Sequence, residues 1–80
     1  MEMNREVYQT KDLYEASALY ALNLRFLGLK REWPFCWFIF EDKDNCQQIA
    51  DEFWAKKLKV DPKCYAEAIR TLKDRIFARN

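Results

Sequence analysis

Three cysteines, thirteen carboxylates, fourteen cationic side chains and no histidine are the reactive groups of this 80-residue chain. Cys36, Cys46 and Cys64 are widely spaced, with no Cys-x-x-Cys pair. A zinc site would therefore need three isolated thiols and an outside ligand. Buried small hydrophobes are the simpler role for these cysteines, and an odd thiol count fits a reducing, cytoplasmic compartment. The missing histidine removes the commonest general base and proton shuttle. Gly28 is the one glycine, so neither a phosphate-cradling loop nor a dinucleotide fingerprint can be built. Asp51 and Glu52 are adjacent, and on a helix they diverge by about 100°. Glu41-Asp42-Lys43-Asp44-Asn45 offers oxygen ligands to Mg²⁺ or Ca²⁺ but lacks the glycine and distant glutamate of a calcium loop. We read no catalytic residue, metal, cofactor or small-molecule substrate from these residues, and expect a protein that is not an enzyme.

What remains is the chemistry of contact. Aromatic residues make up 16% of the chain, with three Trp, six Phe and four Tyr, more than so small a core can readily hide. Trp33 lies in a turn before Pro34, where burial is least expected. Arg31, Trp33, Phe35 and Trp37 form the candidate protein interface, because aromatic and Arg side chains dominate interface energetics. The same composition suits a homodimer joined at sheet edges or open sheet faces. Residues 33–40 can also be laid on the RNA-recognition octapeptide, with Phe35 and Trp37 as stacking platforms on one strand face. Trp33 and Pro34 stand where that motif has a cation and a glycine, and the chain continues into helix where that fold needs a fourth strand. Aromatic packing is the plainer reading.

Charge is unevenly distributed. Residues 1–40 carry five basic and five acidic groups, 41–54 carry one and five, and 55–80 carry eight and three, which restores the net +1. The dipolar chain thus ends in a basic third. Lys56, Lys57, Lys59, Lys63, Arg70 and Lys73 are the candidate nucleic-acid contacts, the alternative reading of the protein's role. Lys63, Arg70 and Lys73 share a helix face by their spacing. A solvated helix face explains the same charges without a ligand.

These residues need elements to position them. Arg5 to Gln9, around Val7 and Tyr8, reads as a brief strand or an extended arm. Thr10 is the expected N-cap of a helix on which Leu13, Ala16, Ser17, Tyr20 and Leu24 form an apolar stripe; Leu19 and Leu22 widen it, so cover on more than one side is expected. That helix should end near Asn23. Leu24–Lys30 alternates as an extended segment, Trp33-Pro34 reads as a hairpin connection, and Phe35–Phe40 is a strand apolar on both faces. A strand of that kind is central, with one face under helices and the other needing a second cover or a partner. Asp44 with Gln47 matches a capping box for a helix running to about Lys57. Asp61-Pro62 opens the last helix, on which Tyr65, Ile69, Leu72 and Ile76 recur.

The expectation is one α+β domain over residues 1–80, in the order β-α-β-β-α-α: a small antiparallel sheet with three helices packed on it. Residues 1–4 are expected to be disordered. No apolar run approaches a membrane span and no signal-peptide pattern opens the chain.

Three stretches carry a family likeness. They are Tyr8-Gln9-Thr10-Lys11-Asp12-Leu13-Tyr14, the strand end Phe38-Ile39-Phe40-Glu41-Asp42, and Val60-Asp61-Pro62-Lys63 followed by Ala66, Ala68, Ile69, Leu72, Lys73 and Asp74. Together they resemble a family of short uncharacterised bacterial and phage proteins, catalogued as a domain of unknown function. The likeness covers roughly Tyr8 to Ala78. It departs at Lys56-Lys57-Leu58-Lys59, where a glycine often precedes the Val-Asp-Pro turn. The resemblance implies a bacterial or phage cytoplasmic protein and supplies no activity or catalytic residue.

Overall fold

A computed structural model describes residues 6–78; the expectation for residues 1–4 lies outside them. Strands β1 (Val7–Thr10), β2 (Phe26–Glu32) and β3 (Phe35–Glu41) and helices α1 (Leu13–Ala21), α2 (Lys43–Trp54) and α3 (Pro62–Phe77) follow in the order β1-α1-β2-β3-α2-α3. The sheet is antiparallel throughout, with spatial order β1-β3-β2. This is the α+β arrangement expected from the sequence, with the doubly apolar strand in the centre.

Register divides the sheet into two unlike faces, because cross-strand neighbours share a side. On the inner face, Tyr8 and Phe26 flank Phe40, while Thr10 and Leu29 flank Phe38. Phe38 and Phe40 are fully buried there with Ala16, Leu19, Cys46 and Leu72, and Leu13, Leu24, Ile49 and Ile76 pack around them. On the outer face, Val7 pairs with Glu41, Gln9 and Gly28 with Ile39, Lys30 with Trp37 and Glu32 with Phe35. None of these outer residues belongs to the core. A bulge at Leu27 separates Phe26 from Gly28. It corrects the simple alternation expected for Leu24–Lys30: the extra residue turns Gly28 outward and brings Leu29 in beside Phe26.

Helix α1 lies in the middle of the helical layer. Five successive residues, Glu15 to Leu19, are buried, because the helix packs against both α2 and α3 as well as the sheet. Two cap assignments change. Asp12, not Thr10, caps α1, with its carboxylate accepting the Glu15 amide at 2.8 Å, while the Thr10 hydroxyl accepts the Asp12 amide at 3.1 Å. Thr10 is held in β1 by its pairing with Phe38, so the helix can begin only after the strand ends. Asp42, not Asp44, caps α2 and accepts the Asn45 amide at 3.4 Å. The strand runs to Glu41, and the next carboxylate takes the cap. Asp61 does cap α3, accepting from the Cys64 amide at 2.9 Å, with Pro62 in the first turn.

With a single glycine in the chain, helix ends use other residues in left-handed geometry. Asn23 (φ 70°) follows α1 and Lys56 (φ 63°) follows α2. At each end two amides fold back: Asn23 to Tyr20 and Leu24 to Leu19, Lys56 to Phe53 and Lys57 to Glu52. This is the double bond pattern that closes a helix through a left-handed residue. Helix α2 accordingly stops at Trp54, short of Lys57. Asparagine tolerates the left-handed region and lysine does so at a cost. Lys56→Gly should therefore raise stability by about 0.5–1 kcal/mol, read as a higher urea midpoint at unchanged slope; a lower midpoint would contradict the assigned strain.

Candidate interaction surface

Hairpin β2-β3 carries all four candidate interface residues but sends them in three directions. Trp33 and Pro34 form the tip, and Trp33 is 94% exposed. Phe35, 47% exposed, and the half-buried Trp37 lie on the outer face. Lys11 stands over them, its Nζ 3.9 Å from the Phe35 ring centroid and 5.9 Å from that of Trp37. The Trp37 indole donates to the Glu32 carboxylate at 3.1 Å, and Lys30 lies 3.9 Å from the same side chain. At the far end of this face Arg25 meets Glu41 at 3.9 Å. The outer face thus combines a short apolar band of Val7, Phe35, Trp37 and Ile39 with Lys11, Lys30 and Glu32 beside its rings and the Arg25–Glu41 pair at one end.

Arg31 does a different job. It points to the helix side, where its guanidinium donates to the backbone carbonyls of Ile76 (2.8 Å), Arg75 (3.0 Å) and Ala78 (3.1 Å). These carbonyls belong to the last turn and C-cap of α3, where the helix dipole favours a cation. Arg31 therefore ties the last turn of α3 to the hairpin. A shallow depression of about 250 Å³ opens beside this tie, lined by Arg31, Trp33, Pro34, Phe35, Cys36 and Ile76.

The six cations of the basic third do not converge on the hairpin. Lys56, Lys57 and Lys59 lie in the α2–α3 connection, and all six are exposed. Arg70 and Lys73 flank an open groove of about 430 Å³ along α3 with Ala66, Ile69, Asp74 and Phe77.

One cluster was not legible in the sequence. Glu15 is 6% exposed on α1, yet its carboxylate has two donors: the Tyr8 hydroxyl at 2.5 Å and the Trp54 indole at 2.7 Å. It joins β1, α1 and α2 at one point, and spends the polar group of a Trp that is itself 60% exposed. A buried carboxylate needs such donors, since an unpaired one carries a large desolvation cost. The only hint in the sequence was a glutamate beside the apolar stripe.

No family model matches the chain, and neither a curated protein nor a solved structure matches it. The functional reading therefore rests on geometry and on the residues themselves. Among the described residues no three His, Cys, Asp or Glu side chains cluster as a metal site, and no helix is long and apolar enough to cross a membrane. The three cysteines are free thiols, with Cys46 buried, Cys36 half-buried and Cys64 exposed. Burial pushes the Cys46 thiol up to about 11 from 9.0, with Asp42 and Glu15 adding to the rise. The Asp61 carboxylate that accepts the Cys64 amide also raises the Cys64 thiol, while the same hydrogen bond lowers the Asp61 carboxyl.

Tyr8 is shifted upward as well, first by burial and then by its bond to Glu15. Both Tyr8 and Cys46 are neutral acids held in their protonated forms by the fold. The native state therefore keeps protons that the unfolded chain releases, and stability falls as pH rises past the unfolded values. Stability should hold up to about pH 9 and then decline through 11 and above. Denaturant titrations of Tyr8→Phe and Cys46→Ala should show a shallower alkaline decline than the parent chain. Parallel declines in all three would refute the linkage.

Proposed function

We propose that this chain is a small non-enzymatic binding protein, of bacterial or phage origin and cytoplasmic, that contacts a protein partner through the hairpin. Regulation or inhibition of a host protein is one form such a role takes. The supporting observation is the 94% exposure of Trp33 at the hairpin tip, next to Phe35 and Trp37 on the sheet face whose residues lie outside the core. Leaving a large aromatic in water forfeits the stabilisation its burial would bring. Three neighbouring aromatics with cations at their edge have the composition of an interface centre.

The partner contact is assigned to Trp33, Phe35 and Trp37. Arg31 acts through α3 instead, holding the depression beside the tip in shape. A second reading, nucleic-acid binding by Lys56, Lys57, Lys59, Lys63, Arg70 and Lys73, is favoured by one observation. All six are exposed, and among the described residues none has a carboxylate within ion-pair distance. Their scatter over a loop and a helix makes it the weaker of the two.

Truncating the tip tests the protein reading. A tagged chain incubated with bacterial lysate should retain a defined protein, and Trp33→Ala should retain about tenfold less, as for a central anchor residue. Circular dichroism of the variant should be unchanged, because Trp33 has no buried neighbours to lose. Equal capture by Trp33→Ala and the parent chain would refute the assignment.

A further inference from the structure

We propose that the outer sheet face packs against the same face of a second copy of the chain, forming a two-fold sheet-on-sheet dimer; this rests on the protein-contact reading above and names the partner.

Edge pairing is obstructed. Strand β1 is only four residues long and α2 packs against it. Strand β2 carries the bulge at Leu27 and the run Lys30-Arg31-Glu32. Short strands, bulges and charges are the devices that stop edges from joining. The outer face instead carries an apolar band with Lys11 and Lys30 beside its rings, and two sheets meeting face to face interdigitate such bands about 10 Å apart.

The face is also complementary to itself. Beside Ile39, Gly28 leaves an open notch: a Cβ built there meets nothing within 4 Å. Trp37 stands one step along β3 on the other side of the strand's midpoint. A two-fold axis across the strands through that midpoint reverses the strand direction and lays Trp37 over Ile39, and Lys30 over the Gly28 notch, of the second copy. The same rotation brings Glu32 over Arg25 of the second copy, opposite charges at both rims. An axis along the strands would instead set Lys11 against Lys30 of the second copy, like charges over the band. Large against small and plus against minus both select the first arrangement, and closed two-fold pairing follows.

The contact is small. Three strands of this length cover roughly 300 Å² per copy, well under the ~800 Å² per partner of a standard interface. The dimer is therefore weak and concentration-dependent. Sedimentation of the full chain over about a hundredfold concentration range should show the mass climbing toward two chains, as for an interface at the small end of the size range. Ile39→Glu should remain monomeric. Glu32→Arg and Arg25→Glu should each weaken association several-fold, and the double exchange should restore it, which separates the contact from any folding defect. A mass unaffected by Ile39→Glu, or a double exchange that fails to restore pairing, would overturn the dimer. So would a monomer at every concentration: if the parent chain still captures a foreign protein through Trp33, only the second-copy assignment falls, and if it captures nothing both fall. A monomer that binds a single-stranded oligonucleotide through Trp37 would also overturn it.

Discussion

Strand β3 is apolar on both sides, but the chain has helices enough to cover only one. That mismatch organises the molecule. Phe38 and Phe40 take the inner face and anchor a core with Leu19, Leu72 and Cys46. Phe35, Trp37 and Ile39, the alternating residues, are left outside it. An 80-residue domain buries only about 60–65% of its unfolded surface, so a second apolar layer exceeds what three short helices can cover. The surplus forms the candidate contact surface.

Two polar devices keep the helical layer in place. Glu15 draws β1 and α2 onto α1 through the Tyr8 hydroxyl and the Trp54 indole. Arg31 fastens the end of α3 to the hairpin by three carbonyl contacts. Apolar packing is non-directional; these bonds fix which helix sits where. They also explain two residues whose types mislead. Trp54, largely exposed, is a structural hydrogen-bond donor, and Arg31, placed beside the aromatic cluster, serves the helix end.

The sequence was most informative where one local rule acted alone. Apolarity on both faces marked β3 as central, and Asp61-Pro62 marked the start of α3. Leu19 and Leu22, widening the apolar stripe, indicated an α1 covered on more than one side. It was least informative where neighbouring elements compete for a residue. Thr10 and Asp44 are sound caps in isolation, but strand pairing consumes Thr10 and the end of β3 hands the next cap to Asp42. The bulge at Leu27 has no sequence signal beyond a glycine beside it, yet it decides which face Gly28 and Leu29 join. Of the candidate interface, Trp33, Phe35 and Trp37 were readable from composition and alternation. The destination of Arg31 was not, because its partners are backbone carbonyls more than forty residues away.

The central claim is the inequality of the two faces of β3, and solvent paramagnetic relaxation measured by NMR in dilute solution tests it directly. A soluble paramagnetic agent should strongly broaden the side-chain protons of Phe35, Trp37 and Ile39 and leave those of Phe38 and Phe40 nearly untouched. Equal protection of both sets in dilute solution would mean that the outer face is covered within a single chain, and would contradict the account.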